Sequence, residues 1–396
     1  MSRKRLGATT HHGKRVAALA GAMGLRLGMN GRELSAVTSC ALMHDNALTE
    51  MILAERKGGN AGEAWRLHCE SGQRNMEALI PASDISGHIL YHHEFANGSG
   101  PFGKKEGEFP LGAELIGIAD SIDAAHPLQN LPESELDGLL GPVSENKQGL
   151  YTKRSAEALV AVFDKNMLSL LRDDRIAETA ERFIPAWEVD MEDEPIFNLA
   201  GFVTRIIDYK SEFTHRHSVQ IANKAWLMGG YYQYAYEEKT KLYLAAALHD
   251  LGKLAIPVTI LEKPGKLTRD EYKIIMGHAA KTRELLEGIT GFEDIWKWAS
   301  NHHEKLDGSG YPFGKTAEAL DFNSRLMACI DIYQAVSEAR PYHPPRSHED
   351  TMPVLYRMSD EGLIDGYIAS GLDKALAAYS LSDVPAPRCP LDTRHA

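Results

Sequence analysis

Apolar residues recur every three or four positions through most of this chain. The pattern is clear in LYLAAALHDLGKL, RDEYKIIMGHAAKTRELLEGI and SRLMACIDIYQAVSEA, and it returns in GRELSAVTSCALMHD and SAEALVAVFDKNMLSLL. Such spacing predicts amphipathic helices. No alternating β-branched run demands a sheet, and clusters such as KPGK, DGSGYP and NGSGP mark the connections. The sequence therefore predicts an all-α fold.

A set of polar residues interrupts this pattern, and the set occurs twice in the same order. The first half contains His12, His44, Asp45, His68, His92, His93 and Asp120. The second half contains His217, His249, Asp250, His278, His302, His303 and Asp331. Most of the spacings between corresponding residues agree between the two halves. The repeat predicts two tandem helical domains, residues 1–175 and 176–396, joined by a helical linker.

The strongest internal match joins YHHEFANGSGPFG near residue 91 to NHHEKLDGSGYPFG near residue 301. The earlier copy lacks the tyrosine that precedes the proline. The motif HDLGK, which ends in Lys253, has become HDNAL, which ends in Leu48. The first copy therefore keeps the histidines and aspartates but loses other polar side chains around them.

Neutral imidazoles and carboxylates together bind iron, manganese, zinc or nickel. A single histidine in a helical protein is usually structural, but here a whole set is duplicated. No cysteine belongs to the set, which disfavours a closed structural zinc site and favours open coordination positions. An aspartate beside a histidine can place one oxygen on each of two metals, and a two-metal clamp with a bridging hydroxide suits in-line attack at phosphorus. The residues predict a phosphoester-cleaving centre.

The motifs LHDLGKL, ILEKPGKLT, HHEKLDGSGYPFG and SRLMACIDIYQAVSEARPY resemble those of the HD-GYP family over residues 200–375. This family belongs to the HD metal-dependent phosphohydrolases and contains bacterial cyclic-dinucleotide phosphodiesterases. The resemblance implies hydrolysis of cyclic di-GMP or 3'3'-cGAMP to a linear dinucleotide. It also implies two or three metals.

The resemblance assigns one metal to His217, His249, Asp250 and Asp331. It assigns a second metal to His278, His302 and His303, with Asp250 bridging the pair. Some members bind a third metal through a glutamate one turn before the first histidine. Here that position is Phe213, with Glu212 beside it, so we expect two metals, with iron or manganese favoured over nickel or zinc.

Several cationic and loop residues are expected to contact the substrate. Lys253 lies one turn beyond Asp250 and can reach the scissile phosphate, which makes these two residues the catalytic candidates. Lys305 stands where the family usually has arginine and offers a point charge without a bidentate fork. The remaining substrate-binding candidates are Asp307, Gly310, Tyr311, Pro312, Arg325 and Arg340.

The first copy lacks most of these candidate substrate-binding side chains. Phe95 corresponds to Lys305 and Glu114 to Arg325, and a glutamate in a phosphate pocket would repel the substrate. We therefore expect a first domain that can bind metal but has lost catalysis, with regulation, dimerisation or packing as its use. The first histidine of this copy has no full helix before it in the sequence, so we expect the leading helix to be missing, truncated or replaced by another segment.

The composition of the chain limits the number of domains, the partners and the cellular location that we expect. The chain has 396 residues, which suits two domains of ordinary size. A net charge of −12 argues against polymeric nucleic acid or anionic membrane as partners. The four cysteines are scattered, which suits reduced thiols, and neither a signal peptide nor a spanning apolar run is present. We expect a cytoplasmic protein with no membrane partner.

Three classes of function stay open at this level. The first is a cyclic-dinucleotide phosphodiesterase. The second is an HD-type phosphohydrolase that acts on another nucleotide. The third is a non-catalytic sensor or adaptor that binds the dinucleotide, which the altered first copy and Lys305 support. The sequence leaves open whether the chain forms a homodimer.

Overall fold

The computed structural model describes residues 11–56, 58–80, 82–184, 194–210, 217–263, 265–338, 345–377 and 379. The chain forms two compact units, Met1–Glu188 and Val189–Ala396. Within the described residues both units consist of helices and loops without a β-strand, apart from the isolated bridges Asn97–Lys105 and Asp307–Thr316. The prediction of an all-α fold is confirmed.

The first unit contains helices α1 to α10. Their bounds are α1 His12–Arg26, α2 Gly31–Leu42, α3 Leu48–Arg56, α4 Ala61–Met76, α5 Ala82–Ile85, α6 Leu111–Ala125, α7 Leu136–Glu145, α8 Lys153–Val162, α9 Lys165–Leu170 and α10 Ile176–Glu181. Helix α1 is buried from Arg15 to Gly24 and packs against α2 and α6. A helix that is buried on most sides is typical of the centre of a domain.

The second unit contains helices α11 to α19. Their bounds are α11 Glu194–Tyr209, α12 His217–Tyr231, α13 Tyr236–Leu248, α14 Val258–Leu261, α15 Arg269–Leu286, α16 Glu293–Ser300, α17 Phe322–Ser337, α18 His348–Asp360 and α19 Gly366–Leu376. The central helix is α13, whose residues Leu242–Leu248 are all buried and form a core with α12, α16 and α17.

Local signals fix where several helices begin. Asn30 and Glu33 form a capping box at the start of α2, and Thr268 and Glu271 form another at the start of α15. Such reciprocal hydrogen bonds satisfy backbone N–H groups that lack partners within the helix. These caps fix the first turn of α2 and the first turn of α15, the helix that contains His278.

The structure differs from the helix prediction at one point. The segment SAEALVAVFDKNMLSLL, expected as one helix, forms α8 and α9 instead. Asp164 interrupts it, because its side chain accepts a hydrogen bond from Met167 N at 2.8 Å and so caps α9. Of the expected connection at residues 166–195, α9 and α10 are helical, and residues 185–193 lie outside the described part.

None of the helices in the described ranges is both long enough and apolar enough to cross a bilayer.

Candidate metal centre

The candidate ligands of the second unit come from the ends and middles of five segments. His217 begins α12, and His249 and Asp250 follow the last residue of α13. His278 lies within α15 and Asp331 within α17, while His302 and His303 follow α16. The fold brings all of these residues together, and all except His303 are buried.

Asp250 lies between two groups of imidazoles. Its Oδ2 atom lies 3.2 Å from His249 Nε2 and 4.0 Å from His217 Nε2. Its Oδ1 atom faces the other way and lies 3.3 Å from His278 Nε2. One carboxylate therefore presents one oxygen to each group.

Asp331 closes the opposite side of the cluster. Its Oδ1 atom lies 3.7 Å from His217 Nε2, and its Oδ2 atom lies 3.4 Å from His303 Nδ1. Two sets of potential ligands result, each with its ligand atoms within 4.8 Å of one another. They are His217, His249 and Asp331, and His278, His302 and His303.

The outer nitrogen of these rings is fixed by the protein. His249, His278 and His302 each use Nδ1 to bind the backbone carbonyl three residues earlier, at 2.6–2.7 Å. His217 Nδ1 instead binds Glu338 Oε2 at 2.8 Å. Metal-binding histidines are held in this way, which leaves Nε2 pointing at the cation.

Two atoms at the centre test whether the residues fit a metal. His249 Nε2 and Asp250 Oδ1 are buried and have no hydrogen-bond partner among the described residues. Buried polar atoms are normally satisfied, because an unmet one costs free energy. A divalent cation would satisfy both atoms, so the residues present fit a metal pair.

The cluster shifts the pKa values of its members. Burial raises the pKa of Asp250, but the positive charges of His249 and Lys253 outweigh burial and hold it well below its ordinary range. Burial lowers the pKa of His303 to about 4. Burial also lowers the pKa of His217, but hydrogen bonds to Asp331 and Glu338 overcome this effect and raise it to about 9.

Two of the expected substrate-binding residues lie against the ligands. Lys253 donates from Nζ to Asp250 Oδ2 at 2.5 Å. The ring of Tyr311 lies 4.7 Å from the ring of His303, centroid to centroid, and 6.4 Å from that of His278. Lys305 is half-buried.

Glu304 holds the loop that carries Tyr311. It is buried and accepts hydrogen bonds from Phe313 N at 2.7 Å and Lys315 N at 2.9 Å. Gly310 lies so close to this glutamate that an added Cβ would stand 2.5 Å from Glu304 Cα. Pro312 follows Tyr311 in the loop, and Asp307 is exposed and accepts from Ser309 N at its turn.

Of the two arginines predicted to bind substrate, Arg325 lies within the described residues, and its hydrogen bonds go to groups other than the candidate ligands. Arg325 donates to Leu320 O, Ala317 O and Asp365 Oδ2, so its guanidinium anchors a loop and the start of α19. Its role with substrate stays a prediction. Arg340 lies outside the described residues, as do Phe213 and Glu212, on which the expected number of metals rests.

The first unit repeats the arrangement of the ligands. Asp45 Oδ2 lies 3.6 Å from His44 Nε2, and Asp45 Oδ1 lies 3.5 Å from His68 Nε2. Asp120 Oδ1 lies 3.1 Å from His12 Nε2, and Oδ2 lies 3.8 Å from His93 Nδ1. The sets His12, His44 and Asp120, and His68, His92 and His93, each draw their ligand atoms within 4.8 Å.

Several residues at these centres were not singled out from the sequence. They are Glu338 and Asp123, which orient the first histidine of each copy, Glu304 and Glu94, which hold the loops, and Trp65. Glu304 and Glu94 stand in the repeated HHE motif, so the repeat itself contained a signal for them. Asp123 and Glu338 occupy different positions in the two copies, and no repeat could reveal them.

Comparison with known proteins agrees with this architecture. Residues 201–368 match a family model described as an HD domain, and residues 9–125 match a second model with that description. The crystal structure of V-cGAP3, a cyclic GMP-AMP specific phosphodiesterase of Vibrio cholerae, has the same fold. It covers 95% of this chain and 94% of its own, with a TM-score of 0.65 at 21% identity.

Two curated relatives are similar in sequence. The 3'3'-cGAMP-specific phosphodiesterase 1 of Vibrio cholerae is 27% identical over 376 residues, which are 90% of this chain and 85% of that protein. RpfG of Xanthomonas campestris, a cyclic di-GMP phosphodiesterase response regulator, is 34% identical over 172 residues, which are 42% of this chain and 46% of that protein.

Each compact unit thus contains one HD domain, and the two domains stand in tandem along the chain. The chain belongs to the HD-GYP family, as its motifs indicate.

Proposed function

We propose that the second unit is a metal-dependent phosphodiesterase that hydrolyses a cyclic dinucleotide to a linear dinucleotide. The position of Asp250, with one oxygen toward each group of imidazoles, carries this proposal. The relatives add support, because those that span most of this chain are named 3'3'-cGAMP-specific and others are named for cyclic di-GMP. Both dinucleotides are therefore candidate substrates.

The ligands divide into two sites around Asp250. His217, His249 and Asp331 would hold one divalent cation, and His278, His302 and His303 would hold the other. A pair of such cations supplies Lewis acidity at phosphoryl oxygens and lowers the pKa of a water to about 7. Iron and manganese suit this mixture of nitrogen and oxygen donors.

Lys253 would bind the phosphodiester beside the metals. Burial lowers its pKa, but the charge and hydrogen bond of Asp250 outweigh burial and raise it above its ordinary value. The ammonium therefore stays charged at neutral pH and can stabilise negative charge that develops on a phosphoryl or leaving oxygen. Lys305, which is half-buried, would add a second cation for the other phosphate.

Tyr311 would position a nucleotide base or ribose. Its ring packs on the ring of His303. The loop that carries Tyr311 is held because Glu304 accepts a backbone hydrogen bond from it, and because Gly310 has no side chain that would prevent its close approach to Glu304. An aromatic ring can stack on any nucleotide base, whatever the identity of that base. This contact accounts for a tyrosine next to the metal ligands.

The test is turnover of cyclic di-GMP and 3'3'-cGAMP by the purified full chain with added Fe²⁺ or Mn²⁺. Asp250→Ala is expected to abolish hydrolysis because the shared ligand is gone. Lys253→Ala should lower kcat by on the order of 10²-fold with metal content unchanged. Asp360→Ala, the same kind of change at an exposed carboxylate of this unit, is the control. Undiminished hydrolysis by Asp250→Ala would refute the site.

A panel with other nucleotides separates the alternative functions. Hydrolysis of a different nucleotide and of neither cyclic dinucleotide would favour another HD-type phosphohydrolase. Tight binding of a cyclic dinucleotide without turnover, in metal-loaded protein, would favour a sensor or adaptor.

A further inference from the structure

The distances in the first unit suit ligands that share a cation. Atoms bound to one metal at about 2.0–2.2 Å lie about 3–3.5 Å from one another. His12 Nε2 and Asp120 Oδ1 lie 3.1 Å apart, within this range. The separations around Asp45 and His44 are 3.5–3.9 Å, at the upper end of the range or slightly beyond it, and longer than ordinary hydrogen bonds. His44 Nε2 is buried and has no hydrogen-bond partner among the described residues. A hydrogen-bonded core would not leave that nitrogen unmet.

The first unit also orients its rings, and it does so with residues of its own. His44 and His92 bind backbone carbonyls through Nδ1, as their counterparts do. His12 Nδ1 binds Asp123 Oδ2 at 2.6 Å, and Asp123 is held in turn by the buried Arg15 at 2.7 and 3.1 Å. In the second unit Glu338 orients the first histidine.

The orienting carboxylate thus comes from a different position in each copy, and the result for the ring is the same. Asp123 follows Asp120 by one helical turn, whereas Glu338 lies beyond the end of α17. A cluster with no ligand would not require its first histidine to be aimed by a separate, buried ion pair. The oriented ring is therefore evidence for a metal, independent of the ligand distances.

We propose that the first unit holds its own pair of divalent transition-metal cations at a centre that does not bind a phosphodiester. His12, His44 and Asp120 hold one cation, His68, His92 and His93 hold the other, and Asp45 lies between them. The donors are nitrogen and oxygen only, so iron, manganese, nickel and zinc are the metals that fit.

The surroundings of this centre differ from those of the second unit in ways that exclude a phosphodiester. Trp65 packs on His93 as Tyr311 packs on His303 in the second unit, and the centroids of the Trp65 and His93 rings lie 4.4 Å apart. Phe95 packs on Tyr151 at 6.3 Å, in the position of Lys305. These aromatic side chains provide no positive charge for a phosphate.

The side of the centre that Lys253 covers in the second unit is open in the first. Leu48 replaces the lysine, and the side chain of Asp45 is 33% exposed, against 2% for Asp250. Water therefore reaches the shared carboxylate directly. Water would complete the coordination of the metals there.

The first test counts metal ions with Co²⁺ as the probe. The full-length double variant His249→Ala/His278→Ala removes one ligand from each site of the second unit and is expected to keep about two Co²⁺ of the about four that the unaltered chain binds. Adding His44→Ala and His68→Ala, which remove one ligand from each site of the first unit, should reduce this to near zero with an unchanged far-UV circular dichroism spectrum. A double variant that folds but holds no Co²⁺ overturns the proposal.

The second test needs no ligand substitution and so does not depend on the folding of those variants. Bound Co²⁺ should quench the fluorescence of Trp65, which contacts His93. Adding Co²⁺ should therefore reduce the tryptophan fluorescence of the unaltered chain more than that of the Trp65→Phe variant. The difference is the part of the quenching that comes from Trp65, and both proteins should bind the same amount of Co²⁺. Equal quenching in both proteins contradicts a metal at this site.

These outcomes are separate from those of the proposed function. Co²⁺ in the first unit without hydrolysis of any cyclic dinucleotide would defeat the proposed function alone. Hydrolysis with Co²⁺ confined to the second unit would defeat this inference alone.

Discussion

At the residue scale, Arg325 and its counterpart Glu114 show how one position of the fold accommodates opposite charges in the two copies. Arg325 donates to Asp365, which caps α19. Its counterpart Glu114 is buried and accepts from Thr152 N, Thr152 Oγ1 and Ser155 Oγ, at the start of α8. Each copy therefore uses this position to tie one helix to another further along the chain, α17 to α19 in the second unit and α6 to α8 in the first. The charge of Glu114 is fully engaged in that task.

Glu338 gives a prediction at the same scale. Glu338→Gln removes the charged partner of His217 Nδ1, so the ring is less basic and less well oriented. We expect metal affinity in the second unit to fall by about 10- to 100-fold. Isothermal titration with Mn²⁺ measures this.

Glu361→Gln, at an exposed position of the same unit, is the matched control. An affinity equal to that of the unaltered chain would show that Glu338 does not support the metal ligand.

At the scale of elements, the sequence predicted helices well where apolar periodicity and caps agree. It did not predict the break at Asp164, because the apolar spacing continues across it while the local hydrogen bond decides the backbone. It left open what stands in for a helix before His12. In the structure α10, from the end of the first unit, packs on α1, whereas in the second unit α11 packs on α12 and α13.

The loop held by Glu304 gives a prediction for an element. Glu304→Ala leaves two backbone N–H groups of the loop without an acceptor, each at a cost of about 1–3 kcal/mol if they stay buried. We expect a lower melting temperature and, because Tyr311 loses its fixed position, a raised KM for the dinucleotide. Thermal unfolding and steady-state kinetics measure the two effects.

The exposed Glu318→Ala is the comparison for this variant. A Glu304→Ala protein with unchanged stability and KM would mean that the loop is held by other contacts.

At the scale of the whole molecule, the repeat predicted both clusters of ligands correctly as sets that converge. The order and spacing of five histidines and two aspartates suffice for this, because the corresponding residues of the two copies lie at corresponding places on the helices and turns. The aromatic side chains around the first centre could not be predicted. Trp65 and Tyr151 have no aromatic counterpart at the corresponding position, so only packing reveals that they lie near His93 and Phe95.

The first histidine of each copy predicts how metal uptake depends on pH. Burial lowers the pKa of His12, but hydrogen bonds to Asp120 and Asp123 raise it to about 10, and that of His217 is raised to about 9. In metal-free protein these protonated rings stabilise the fold below pH 6.5, and that stability is lost as pH rises through 9 to 10. Metal binding requires the neutral rings.

The increase in melting temperature on adding Mn²⁺ should therefore be larger at pH 8.5 than at pH 6.5. Differential scanning calorimetry of chelator-treated and reloaded protein measures it. Helical circular dichroism should persist after chelation, because the core around α13 is apolar. An increase that is the same at both pH values would contradict proton displacement from these histidines.

Glu94 and Glu304 grip their loops at equivalent points on both sides of the place where the two copies differ in length. Between those points a codon can vanish without moving the histidines that precede the loop. A change of one residue in the length of this loop therefore leaves the segments before and after it in the same arrangement in both copies. Natural variation in length is expected to be tolerated at this point of the fold more readily than elsewhere near the histidines.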